Sequence, residues 1–247
     1  MKLSTNTATQ QGSLAHMTAT DINAVLVTLQ LAGATTLILM IIGTPIAWWV
    51  ARSQSWLSVL VSPLISLPLV LPPTVIGFYL LILFSPDQPL GSFWLQVTGD
   101  TLAFSFTGLL IGSIIYSLPF YIQPLQVEFS NIDQNLIEAA TTLGAGPSDR
   151  FFNLVVPLST RGFLIATTLT FAHTVGEFGI VLMIGGNIPG ETRVLSIALY
   201  DHVETLQYAS AHFLAGGLML FSFCTLILIH IINKGSLTMV SAGARKN

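Results

Sequence analysis

The sequence predicts an all-α integral membrane protein with five spanning helices, a sixth being the alternative. Charged residues make up only 8% of its 247 residues and apolar types 52%, where a soluble domain carries about 25% charged residues. Mean hydropathy is +0.77. The acids and bases are also unevenly spread. Stretches 22–51, 53–86, 101–127 and 205–233 contain none, and 162–190 contains only Glu177. Each stretch exceeds the roughly 20 residues that an α-helix needs to cross the hydrocarbon layer. A soluble globule would lack its charged shell. A membrane barrel would need strands of about 10 residues with alternating polarity. The lone Cys224 supports no disulfide framework and reads as a small buried hydrophobe, and the net charge of −3 leaves no basic footprint for nucleic acid.

The spans are expected near 24–50, 57–84, 102–127, 162–184 and 210–233. A polar extension, 1–20, precedes the transmembrane domain, 21–234, and a tail, 235–247, follows it. Residues 1–16 lack the apolar core of a cleavable signal, so the first helix is expected to act as its own uncleaved signal, with Met17 as an alternative start. The second span contains Pro63, Pro68, Pro72 and Pro73. Membrane helices tolerate Pro where neighbours satisfy the freed carbonyls, so a kinked or interrupted helix is expected. Segment 191–204 is amphipathic and too polar to span, which suits an interfacial or re-entrant element. With five spans, Arg52, Arg150, Arg161, Lys234, Arg245 and Lys246 share one side, leaving Lys2 and Arg193 on the other. The positive-inside rule then puts the N-terminus outside and the C-terminus in the cytoplasm.

The largest loop on the basic side runs over 129–160. Ile132, Leu136, Ala140 and Leu143 recur at helical spacing, with Asn131 or Asp133 as N-cap. Gly144-Ala145-Gly146 can stop that helix, Pro147 can open a second one, and Phe151, Phe152, Leu154 and Val155 can supply its apolar face. Pro157 introduces the fourth span. A helix-turn-helix at the membrane surface is the expectation.

Glu138-Ala139-Ala140, Gly144 and Pro157 resemble the EAA motif of ABC importer permeases, with Leu154 and Val156 where that motif usually has Ile and Leu. Downstream, HTVGEFGIVLMIGGNIPGETRVLSIALYDHVE (173–204) and LPLVLPPTVIGFYLL in the second span resemble the molybdate permeases of that family, and tungstate and sulfate or thiosulfate permeases share parts of these motifs. The resemblance covers most of the chain from Val25 to Asn233. It implies the type I importer fold of the methionine-permease kind, a homodimer in the cell (inner) membrane with the path at the subunit interface, two ATPase subunits docked on the EAA loop, and a periplasmic or extracellular oxyanion-binding protein. ATP and Mg would be used by the ATPase partner, with no cofactor in this chain.

Remaining candidates follow from the chemistry of single residues. His173 and Glu177 are one helical turn apart, and a carboxylate at membrane depth must face protein or water. They can line the path or make an interhelical hydrogen bond; an oxyanion cargo would be repelled by the carboxylate, which favours packing. Gly108 and Gly112 have the spacing of a close helix contact. Asn187 and Arg193 are expected on the outer side, where they can dock a binding protein or steer cargo. His202, His212 and His230 lack ligand spacing and suggest no metal site. The chain has no phosphate-binding GxxxxGK[ST], and no HExxH, GxSxG or CxxC. A secondary transporter or membrane enzyme is therefore the distant alternative.

Overall fold

The computed structural model describes residues 18–244, and side chains over 18–232. Residues 1–17 of the expected N-terminal extension, Lys2, and the side chains of Lys234, Arg245 and Lys246 lie outside the described residues. Among the described residues twelve helices follow one another: α1 (Ala19–Arg52), α2 (Trp56–Val70), α3 (Pro73–Phe84), α4 (Pro89–Thr98), α5 (Phe106–Ser130), α6 (Gln134–Thr142), α7 (Pro147–Arg150), α8 (Val156–Leu158), α9 (Thr160–Val175), α10 (Gly179–Gly185), α11 (Leu195–Glu204) and α12 (Tyr208–Ala244). A π-helical turn, Phe151–Val155, joins α7 to α8, so 147–158 is one continuous rod.

Two apolar clusters mark the ends of the bundle. One gathers Val27 and Leu31 of α1, Leu80 and Phe84 of α3, Leu109 of α5, and Ile180 and Ile184 of α10. The other gathers Leu39, Ala47 and Val50 of α1, Ile65 of α2, Leu125 and Phe129 of α5, Val155, and Ala166 of α9. The chain passes between them in α1, in α2 with α3, in α5, and in α9 with α10. The 25 residues of α12 up to Ile232 add a fifth pass by length and hydropathy.

Local chemistry explains where helices start and stop. Thr18 caps α1 in a reciprocal box, its hydroxyl accepting from the Asp21 amide while the Asp21 carboxylate accepts from the Thr18 amide. Pro45 inside α1 has no N–H to give, and beside it the Thr44 hydroxyl bonds the Met40 carbonyl at 2.6 Å. The second span breaks at Leu71-Pro72, where α3 restarts on Pro73 at 110° to α2. Gln123 of α5 donates to Ser66 of α2 at 2.9 Å, tying down the bent segment.

Two expectations need correction. The fourth span is not continuous over 162–184: α9 ends at Val175, and Gly176, Glu177 and Phe178 separate it from α10. A Cβ on Gly179 would meet Pro73 Cβ at 2.9 Å, so α10 sits hard against the start of α3. Residues 89–98 form a short helix that ends in Gly99 at φ +80. Cys224, expected to be buried, is exposed on α12. Residues 191–204, expected to be interfacial or re-entrant, hold α11, whose Ile197, Ala198 and His202 are buried. Ten residues span only about 15 Å, too little to cross.

Candidate functional site

The 129–160 loop folds as a helix-turn-helix and its sequence explains each joint. Asp133 is the N-cap of α6, its Oδ1 accepting from the Asn135 amide at 2.9 Å. At the other end the Ala145 amide reaches the Ala140 carbonyl at 3.0 Å and the Gly144 amide reaches Thr141 at 3.0 Å. That is the Schellman arrangement, and it holds Gly144 at φ +89, a conformation that favours glycine. Pro147 opens α7, and Pro157 lies two residues before the 74° bend into α9. The π turn just ahead of Pro157 accommodates its missing N–H.

α6 exposes apolar residues. Leu136, Ala139 and Leu143 fall on one stripe at three- and four-residue spacing, and Leu143 is 88% exposed. Glu138 is exposed beside that stripe, and its Oε1 accepts from Gln134 at 3.3 Å. Ile132, the first residue of the expected apolar face, turns inward instead and is buried. In the second arm Phe151 and Val155 point into the bundle while Phe152 is 66% exposed, so the expected four-residue apolar face is divided.

Underneath, α1 fastens the loop in a way no local pattern announces. Arg52 donates to the Ile132 carbonyl at 2.9 Å and to Gln134 Oε1 at 3.0 Å, and its guanidinium lies 5.1 Å over the Trp48 ring. Trp48 packs edge-on against Phe129 at 5.3 Å and Phe151 at 5.8 Å. Arg150 donates to Thr141 at 2.6 Å, linking the two arms. The loop is thus a braced element with one apolar stripe facing away from the protein.

A polar seam runs between α5 and the α9–α10 break. Ser113 Oγ donates to Glu177 Oε2 at 2.8 Å, and Ser117 shares hydrogen bonds with His173 Nδ1 at 3.0 Å and with Thr174 at 3.1 Å. Glu177 is 4% exposed and its Oε1 has no hydrogen-bond partner among the described residues. The His173 ring stacks on Phe120 at 3.8 Å between centroids. His173 and Glu177 therefore each engage α5, one turn apart, through Ser117 and Ser113.

At the opposite end from the loop, Asn187 is exposed, whereas Arg193 is paired with Asp201 at 2.6 Å and mostly buried. The residue that organises the 185–193 turn is Thr192. It is fully buried, donates to the Gly185 carbonyl at 2.6 Å and accepts from the Ile188 amide at 3.1 Å. Gly186 and Gly190 turn the chain there at positive φ. Thr192, Arg52 and Trp48 were not singled out from sequence. Gly186 and Gly190 just ahead of Thr192 were the available signal for the first, and none existed for the others. Among the described residues no three His, Cys, Asp or Glu side chains converge as metal ligands.

The family model of the binding-protein-dependent transport system inner membrane component matches residues 43–236. The chain belongs to this family. As a permease it is not itself catalytic, and it is an inner membrane component. It is 52% identical to the molybdenum transport system permease protein ModB of Azotobacter vinelandii, over 85% of this chain and 93% of that one. It is 34% identical to ModB of Haemophilus influenzae, over 75% and 81%. With a probable sulfate transport system permease protein, cysT of Chlorella vulgaris, it shares 31% identity over 86% and 80%. The permease also has the fold of a bacterial ABC transporter involved in alginate import, with a TM-score of 0.70 at 17% identity, over 88% of this chain and 80% of that one. A second structure of a bacterial alginate ABC transporter, in complex with its periplasmic protein, matches with a TM-score of 0.67 at 16% identity, over 90% and 80%. These likenesses support the expected type I permease fold.

Proposed function

We propose that this permease is the membrane-spanning subunit of an ABC importer that moves molybdate into the cytoplasm. The observation that carries the coupling part is the braced α6, which presents Leu136, Ala139 and Leu143 outward with Glu138 beside them. A stripe of that kind outside the bilayer suits a groove on a soluble ATPase. The 52% identity to a molybdenum permease supports the cargo.

The working unit is a homodimer with two ATPase subunits under the 129–160 loops. ATP and Mg are used by those partners. Arg52 holds the loop from α1 and Arg150 lies within it, so the loop end faces the cytoplasm and the Asn187 end faces the periplasm. There a soluble binding protein delivers the oxyanion, as the neighbouring alginate complex suggests. Rigid-body rocking of the two permease copies follows ATPase closure. Glu177 and His173 serve as interhelical contacts.

The test is reconstitution of permease, ATPase and binding protein in liposomes. ATP-dependent uptake of molybdate above sulfate is expected. Equal or greater sulfate uptake would transfer the chain to the sulfate reading that its cysT relatives favour. Uptake without the ATPase would remove the importer reading altogether.

A further inference from the structure

A groove of about 650 Å³ separates α1 from the start of the 147–158 rod. Met40, Ile41 and Trp48 line one wall, and Pro147, Phe151 and Phe152 line the other. The α1 wall belongs to a membrane-crossing helix, and Ile41 is 73% exposed, so the groove opens sideways into hydrocarbon. From Met40 to Trp48 the helix advances about 12 Å, close to the depth of about 15 Å of one leaflet. One turn beyond Trp48, which lines the groove, the partly exposed Arg52 guanidinium rests over the Trp48 ring at 5.1 Å while also donating to Ile132 and Gln134. An apolar slot of leaflet length with an indole and a cation at its surface end has the layout of a phospholipid. Its tail would lie in the slot and its phosphate by the arginine.

We propose that this groove is a lipid site: one acyl chain of a phospholipid in the loop-side leaflet lies between α1 and the 147–158 rod, with its anionic headgroup at Arg52. A soluble ATPase does not reach this position, because the Met40 and Ile41 end lies at hydrocarbon depth. The tail touches Phe151 and Phe152, so the bound lipid supports the arm of the loop that leads into α9. The site itself depends only on the membrane placement of α1, and its test needs neither cargo nor ATP.

The permease complex, purified in mild detergent, is washed and examined by native mass spectrometry with added palmitoyl-oleoyl phosphatidylglycerol or phosphatidylethanolamine. Wild-type protein is expected to retain phosphatidylglycerol in preference. Ile41→Trp fills the groove and should lose the retained lipid, whereas Leu226→Trp, on the exposed face of α12, should keep it. Arg52→Gln should reduce the preference for phosphatidylglycerol about fivefold and Arg52→Lys should preserve it, in line with the attraction of one cation to an anionic leaflet. Thermal unfolding identifies any variant that fails to fold, and a benzoyl-phenylalanine crosslinker at position 41 then reads the site in otherwise native protein. Equal lipid retention by wild type and Ile41→Trp overturns the proposal. So does a crosslink from position 41 to a second copy instead of lipid, which would make the groove a subunit interface.

Discussion

Asp21 at the start of α1 and His202 near the end of α11 are 181 residues apart in sequence, and their side chains meet at 2.9 Å, both buried. Asp21 also accepts from the Thr18 amide and hydroxyl, and His202 Nδ1 shares a hydrogen bond with Gln207 at 3.1 Å. The contact closes the end of the bundle farthest from the loop. It pins α11 to α1 together with the Leu195 amide, which donates to Thr28 at 2.7 Å. Removing either partner strands a buried polar group, at a cost of about 1–3 kcal/mol. Asp21→Asn and His202→Ala should each lower the unfolding temperature in detergent. The double variant should lose less than the two single losses together, since the second change then removes nothing paired. Strict additivity would show that the contact carries no coupling.

Glu177 allows a comparison of size against charge. Glu177→Gln keeps an acceptor for Ser113 in nearly the same volume and should assemble, with transport partly preserved. Glu177→Leu leaves the buried Ser113 hydroxyl without its acceptor, at about 1–3 kcal/mol, and should reduce the yield of assembled complex. Gel filtration and liposome uptake separate the outcomes. A fully assembled Leu variant that transports nothing would place Glu177 in the cargo path.

Gly144 tests the proposed coupling role of the 129–160 loop. A Cβ there meets nothing within 4 Å, so the cost of a side chain comes from φ +89 and amounts to about 1 kcal/mol. Gly144→Asp should therefore insert and dimerise normally, yet lose ATPase binding or transport-linked hydrolysis, because it adds a charge at the end of the exposed stripe. Gly144→Asn, tolerated at positive φ, and Glu138→Ala should show milder defects. Normal uptake and ATP turnover in the Asp variant would separate this loop from coupling.

Membrane orientation can be read with a phosphatase reporter active only outside the cytoplasm. It is expected to be active when fused within 87–99 and inactive after Asn247. Activity at the C-terminal fusion would favour six crossings.

Three glycines should rank by what their missing Cβ would touch. On Gly108 it would clash with the Leu102 carbonyl oxygen, and on Gly112 it would meet the Ile184 Cδ1 at 2.6 Å; on Gly33 it meets nothing within 4 Å among the described residues. Backbone yields less readily than the tip of a side chain, so Gly108→Ala should destabilise most, Gly112→Ala less, and Gly33→Ala not at all. Thermal unfolding of the three proteins gives the order directly.

Much of this architecture is legible along the chain. The charge-free stretches locate the spans because ionised groups are expensive in hydrocarbon. Pro72-Pro73 marks the break in the second span because proline denies the helix an N–H. Gly144 ends α6 because positive φ favours glycine. Each of these rules acts within a few residues, so each can be read without knowing what lies across the bundle. The EAA residues and the 173–204 segment likewise pointed to the family that the comparisons show.

Pairings across the bundle were not legible, and they set the finer design. Nothing near Arg52 indicates that it will hold the loop at Ile132, and nothing near Asp21 indicates His202. Arg193 looks like a free cation in sequence but is neutralised by Asp201. The pause between Val175 and Gly179 has no proline; it forms where α10 packs against Pro73 and where Glu177 finds Ser113. In a bilayer all outer faces are similarly apolar, so hydropathy locates a helix without orienting it. Which side chains meet is chosen by close approach at small residues and by the few polar groups that must find partners inside.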